Sequence, residues 1–405
     1  MDLQPRGYQK VIQLINKGVN VPNPLSLDIG DEVDVGRISG RGVTLFPGCR
    51  LYGARTAISA GVKLGAEGPV TIDDCCLGAD VELKGGCFKQ SVFLERANMG
   101  WGAEVREGCL LEEEAGGAHC VGLKQTILFP FVVLGSLVNF CDCLMAGGTS
   151  RKDHSEVGSS YIHFNYTPDG DKATASLFGD VVRGVMLDQA RIFLGGQGGA
   201  VGPVRVGFGT VVAAGSILRR DVVEDGRLVV DGPPPDLQRR YVPQAHGNLT
   251  RVVRNNVMYL ANLVALEQWY KKVRAQFFAR EEMGELVYQG AVETLALAKA
   301  ERIKHLVALA EMVQTSGARG RELRERAVEL GAAFGSETVL PSGDGFPAGL
   351  GDFEPGGPGG YIAAIHGLTP GSRAAGVEWL GQIVDVLCGK AGALLRSMDL
   401  FGGGH

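Results

Sequence analysis

Residues 151–218, RKDHSEVGSSYIHFNYTPDGDKATASLFGDVVRGVMLDQARIFLGGQGGAVGPVRVGFGTVVAAGSIL, hold two kinds of text side by side. The first gathers His163, Asn165, Tyr166 and Lys172 within ten positions. The second settles into an aliphatic residue at every sixth place, Val206, Val212 and Leu218. Working outward, the same spacing recurs at Phe93, Met99, Val105 and Leu111, and at Val121, Ile127 and Val133. Six residues make one flat side of a triangular coil: a short strand, then a turn tolerated by small residues, with the sixth-place side chain pointing inward onto its equivalent in the next coil. The text from 25 to 232 therefore predicts a parallel β-helix of about ten coils at about eighteen residues each. The phase falters around 60–90 and 140–200, where loops are expected to leave the prism. A β-sandwich would need strict two-residue alternation, which this stretch lacks.

The flanks read differently. Residues 1–24 place Val11, Ile12, Leu14 and Ile15 on one apolar face before Gly18, which predicts a short N-terminal helix. Three prolines at 233–235 end the sheet text, since proline cannot join a central strand. Over 246–335 the period becomes helical, with Val253, Val257, Leu260 and Val264 on one stripe and Trp269 and Tyr270 as a docking anchor. Residues 336–360 are a glycine- and proline-rich linker, and 361–405 predict further amphipathic helices.

Bulk chemistry narrows the function. The formal charge is −5, from 40 basic and 45 acidic side chains, so there is no positive field for a phosphate backbone and nucleic acid is not an expected partner. No apolar run is long enough for a membrane span. The nine cysteines form no C-x-x-C pair and no signal peptide precedes them, which reads as reduced thiols in a cytoplasmic protein. The 61 glycines, without a collagen period, imply many tight turns. EEEAGG at 112–117 and RRD at 219–221 read as solvated turn charges.

The segment GSSYIHFNY, followed by TPDGDKATASLFGD and IFLGGQGGAVGPVRVGFGTVVAAGSILRRDV, resembles the acetyltransferase half of the bacterial bifunctional enzyme that makes UDP-N-acetylglucosamine. That half is a left-handed parallel β-helix of hexapeptide repeats. The likeness is good over 151–222 and looser over 40–140; it does not extend to the α-helical C-terminal region. The resemblance implies acetyl-CoA as co-substrate, an amino-sugar phosphate such as glucosamine-1-phosphate as acceptor, and a homotrimer with clefts between subunits. His163 stands at the family's general base, which takes a proton from the amine as it attacks the thioester. Arg151 stands at a lysine that contacts phosphate. Lys172 and Tyr166 stand at sugar-phosphate contacts, and Asn165 with Tyr166 at the family's N-Y-D-G motif. One coil between the histidine and this motif is missing here. Gly196 replaces a serine near the acetyl group, Ala214 matches a backbone contact to the coenzyme, and Asp231 falls where a basic residue is expected.

These residue types suit the chemistry. An imidazole titrates near neutrality and can take a proton in the transition state. Arg151 offers a bidentate fork and Lys172 a point charge for phosphate. Asn165 and Tyr166 offer directional bonds to sugar hydroxyls. A zinc site from His119, His154 and His163 is not expected, because their spacings do not share a coil corner. LGGQGG at 194–199 mimics a nucleotide-binding loop but sits inside the repeat. The family's nucleotidyltransferase loop, L-x-G-G-x-G-T-R, is absent, so pyrophosphorylase activity is not expected. The alternative from another class is a non-catalytic prism that binds a sugar nucleotide or serves as a scaffold, with the helical region as its partner-binding part.

Overall fold

A computed structural model describes residues 4–165, 170, 172–232, 235–238, 240, 242, 248–279, 281–335, 338–343 and 360–402. Within it, two-to-seven-residue strands stack in parallel register into a β-solenoid of about 11 turns, followed by a helical region. Each regular coil presents three faces. In one coil the first face is Asn98–Met99, the second Ala103–Val105 and the third Cys109–Leu111. The next coil repeats them as Gly116–Gly117 and the two halves of Gly122–Leu128, paired residue for residue with the coil before.

The inward positions explain why this sequence winds. Met99, Val105 and Leu111 are fully buried, and so are Val212 and Leu218. Stacked in columns they remove an apolar side chain from water at every sixth place, worth roughly 1.5–3 kcal/mol each before the entropy of ordering is subtracted. One expected run is out of phase. Between Leu123 and Leu128 the step is five residues, because Gln125 turns the corner alone with a φ of 51°. Leu128 is therefore inward, level with Leu111, whereas Val133 looks outward and is partly exposed. Asp74, Gln90 and Asp142 make the equivalent corner in other coils, also at positive φ. Among the described residues, longer excursions leave the prism at 146–155 and 179–192.

The helices are α1 (Tyr8–Lys17), α2 (Val181–Gly184), α3 (Leu249–Trp269), α4 (Ala275–Phe278), α5 (Gly284–Met312), α6 (Ala318–Ala332), α7 (Gly360–His366) and α8 (Pro370–Leu394). α1 closes the first coil, with Lys10 Nζ donating to the carbonyls of Gly30, Asp31 and Val33. α3 and α5 lie along the third face: a Cβ on Gly290 of α5 would sit 2.7 Å from Cys76 Sγ. α3 runs through a π turn at Tyr270–Arg274 into α4. Trp269, at the end of α3, donates to Tyr361 Oη of α7 at 2.9 Å, and Tyr270 donates to Glu112 Oε1 at 2.6 Å, the bond that fixes the helices to the prism.

Two sequence expectations fail here. Glu112 and Glu113 are not solvated turn charges: they are 2% and 6% exposed and clasp the buried Arg274 guanidinium. Asp221 is likewise covered, lying 3.4 Å from Arg251 and 3.6 Å from Arg254 of α3. In each case a helix distant in sequence supplies the cation. The 336–360 linker lies mostly outside the described residues. Among the described residues, no helix is long and apolar enough to cross a membrane.

Candidate functional site

His163 lies in the second-face strand Ile162–Phe164, opposite Ala200 of the next coil. Ile162 and Phe164 face outward and His163 inward, 7% exposed, with the Phe140 ring 6.4 Å away edge to face. It occupies a column position that elsewhere holds Leu51, Ile72, Phe88 and Val105. Its Nε2 is 2.7 Å from Ser176 Oγ, and Ser176 in turn accepts from the Val204 amide at 2.9 Å. The Cys141 carbonyl accepts from the ring's other nitrogen, which makes Nε2 the acceptor. Burial pushes the imidazole pKa down to about 4, outweighing the opposing pull of Asp142 and the Cys141 carbonyl. The ring is therefore neutral at pH 7, with both nitrogens occupied inside the prism.

The expected phosphate and sugar contacts are divided between two corners. Asn165 and Lys172 are exposed, the one just after the second-face strand Ile162–Phe164 and the other just before the third-face strand Ser176–Phe178. Tyr166 lies outside the described residues. Arg151 belongs to a different corner, where the third face turns into the first. It is exposed at the tip of a hairpin between Gly148–Ser150 and Asp153–His154, and donates to the Glu114 carbonyl at 2.8 Å. Within one chain, Arg151 and His163 are thus on separate edges of the prism.

The expected coenzyme positions do come together. Gly196 and Ala214 occupy the corner between first and second faces in consecutive coils, joined by a 2.9 Å bond from the Gly215 amide to the Gly196 carbonyl. The column is tight: a Cβ on Gly195 would lie 2.3 Å from the Ala214 nitrogen, and one on Gly196 2.8 Å from the Ser159 carbonyl oxygen. Asp231 follows one coil on, its amide donating to Ser216 Oγ at 3.1 Å. Its carboxylate is 4.0 Å from Arg220, a cation that the sequence reading counted among the solvated turn charges of RRD at 219–221. This edge exposes backbone and small side chains, a surface suited to a thin unbranched chain.

The other histidines stand apart. His119 Nδ1 is 2.9 Å from Ser136 Oγ, and His154 Nδ1 is 3.0 Å from the Arg151 carbonyl. Among the described residues, no group of three or more His, Cys, Asp or Glu side chains is placed to hold a metal ion. LGGQGG forms the end of one strand, a corner and the start of the next, with no helix after it to cradle a phosphate. Missed from sequence were Ser176, whose hydroxyl occupies His163 Nε2, and the Asp142–Arg302 pair at 2.7 Å, which ties α5 to the corner beside His163. The signal for His163 itself was available: it is six residues after the buried Val157, in phase with the inward column.

No family model matches the chain. It is 31% identical over 211 residues to the bifunctional protein GlmU of Nitratidesulfovibrio vulgaris, covering 50% of this chain and 42% of that protein. It is 28% identical over 223 residues to the protein of the same name from Trichlorobacter lovleyi, covering 55% and 43%. With that of Thermotoga petrophila it is 24% identical over 216 residues, covering 53% and 42%. The chain thus spans less than half the length of these relatives. Proteins named GlmU match about half of the chain, and its coils form a parallel β-solenoid, consistent with a hexapeptide-repeat acyltransferase domain.

Proposed function

We propose that the solenoid is an acetyl-CoA-dependent acyltransferase acting on an amino-sugar phosphate of the glucosamine-1-phosphate type, in sugar-nucleotide biosynthesis. The observation that carries this reading is the corner column of Gly196 and Ala214 in a chain similar to GlmU proteins. A pantetheine arm would lie along that column, and Arg220 would supply the positive charge for coenzyme phosphates that Asp231 cannot. In the step itself a base removes a proton from the sugar amine, the nitrogen attacks the thioester carbonyl, and the carbon–sulfur bond breaks to release coenzyme A as the thiol. Asn165 and Lys172 would hold the sugar phosphate beside the ends of the strands Ile162–Phe164 and Ser176–Phe178.

His163 is the base by resemblance, but it would have to leave its bond to Ser176 to meet a substrate. Half-exposed His154, beside Arg151, is the proton acceptor that needs no such movement. Arg151 would meet substrate held on a neighbouring copy of the chain, because one chain keeps it on another edge. The exposed outward row Phe193, Val211 and Leu228 on the first face offers an apolar surface for that copy, in a homotrimer.

A second reading, a prism that binds a sugar nucleotide or scaffolds a partner without catalysis, is favoured by the enclosed setting of His163. The test is release of coenzyme A thiol from acetyl-CoA with glucosamine-1-phosphate, by the full chain and by His154→Ala and His163→Leu. The acyltransferase reading expects turnover in the full chain, with a loss of about 10²-fold or more in the variant that removes the base. Absence of turnover with retained sugar-nucleotide binding would establish the second reading instead.

A further inference from the structure

The corner column of Gly196 and Ala214 continues along the prism. In register, one coil apart, it runs from Asp231 through Ala214 and Gly196 to Ser159, and then through Ser136 and His119 to Trp101. The residue that follows each turns the corner at positive φ: Gln197 and Ser160 on the near stretch, Leu137 and Cys120 on the far one.

The chemical character changes along this edge. Beside Asp231 and Arg220 it is charged, and from Ala214 to Ser159 it is small and polar. Beyond Ser159 it turns apolar. Leu137 is 57% exposed and Trp101 52%, and between them Cys120 leans back so that a Cβ on Gly102 would lie 3.1 Å from its Sγ. The indole rests on bare backbone, since a Cβ on either Gly85 or Gly68 would come within 2.7 Å of it. His119 Nδ1 and Ser136 Oγ, the polar atoms on this stretch, bond each other. The strip is one side chain wide, flanked by Glu82 and Asn98 on the first face and by Glu104 and Asn139 on the second. A second protein laid here would have to bury those polar groups; a single alkyl chain would not.

Charged, then small and polar, then apolar is also the order of groups in an acyl-coenzyme A: phosphates, pantetheine arm, alkyl chain. The lengths agree. The arm has the bond count of four or five extended residues, about 16 Å. Measured from Asp231 it passes Ser159, which is three coil steps or about 14 Å away at the usual strand spacing. The thioester then falls where the apolar strip begins, and Trp101 lies about 13 Å further on, the span of an extended chain of about twelve carbons.

We infer that this edge accommodates acyl chains far longer than acetyl, laid along Leu137, Cys120 and Trp101. The assignment rests on the acyltransferase reading, because the arm must first lie on the Gly196–Ala214 column.

The experiment titrates the full chain with dodecanoyl-coenzyme A, below its micelle concentration, and follows tryptophan fluorescence, with acetyl-coenzyme A and free dodecanoate as comparisons. Trp269 and Trp379 are 0% and 3% exposed, so a change in emission reports Trp101. A saturable blue shift is expected with dodecanoyl-coenzyme A alone, at a Kd about ten-fold or more below that of acetyl-coenzyme A measured by calorimetry. Leu137→Asn, which suits the positive φ of 59° there, should weaken the long-chain thioester about ten-fold and leave acetyl-coenzyme A unchanged. If acetyl-coenzyme A binds and the long chain binds no tighter, or leaves the emission unmoved, the chain-length assignment is overturned and the acyltransferase reading stands. A shift with dodecanoate alone would also overturn it, since the strip would then need no coenzyme. Binding of neither thioester would overturn both.

Discussion

The first and third faces of the prism share the same inward columns and differ in what looks outward. On the first face the outward row runs Lys63, Glu82, Asn98, Gly116, Val133 and Glu156 before turning apolar at Phe193, Val211 and Leu228. On the third it runs Cys76, Val92, Leu110, Ile127, Leu144 and Leu177, every one buried. Alternation with a polar outside marks a face that meets water, whereas an unbroken apolar strand marks a face covered on both sides. The helical region is therefore a second layer of the same core, laid over the side that could not face solvent.

Truncating the covered row should break this difference most severely. Leu110→Ala is expected to cost about 2–5 kcal/mol in denaturant unfolding, through lost transfer energy and the cavity left under α5; a cost below about 1 kcal/mol would show that the helices do not press on this face. The second face offers a test that appears only on acidification. The His163 pKa falls from an unfolded value near 6.5 to about 4 in the folded state. Stability from the neutral ring is then fully present above pH 6.5 and lost as pH drops through 4, amounting to about 3 kcal/mol over that window. His163→Leu should flatten the pH dependence of stability there, and an unchanged slope would mean that the ring reaches solvent. Smallest of all should be Glu156→Ala on the open row, within about 0.5 kcal/mol by the same measurement. A larger loss would mean that something covers the first face too.

How much of this was legible depended on whether the information was local. Phe93, Met99, Val105 and Leu111 revealed the winding because every corner between them has regular length. Val121, Ile127 and Val133 misled because a single left-handed residue, Gln125, shortens its corner by one place. The unbroken apolar strings at 109–111 and 127–129 carry the mark of a covered face, but the six-residue reading did not use them, and nothing local says which helix covers it. Glu112 and Glu113 looked like surface charges because their partner, Arg274, is about 160 positions away and no local pattern connects them. For the candidate site, the small residues at Gly196 and Ala214 lie in adjacent coils as their eighteen-residue spacing implies. The motif around His163 drew attention to its chemistry, while its hexad phase, which places it indoors, is a property of position.

α5 touches the prism at two points that can be measured against each other: Gly290 on Cys76, and Arg302 on Asp142. Twelve helical residues span about 18 Å. The four coil steps from the strand of Cys76 to that of Leu144 span about 19 Å at the usual strand spacing. The helix is thus a ruler laid along the solenoid axis, and it counts coils. A stack of repeats on its own can gain or lose a turn and simply become longer or shorter. Here a gained or lost turn between those two contacts would pull Arg302 off Asp142, so the length of the prism in this stretch is set from outside it.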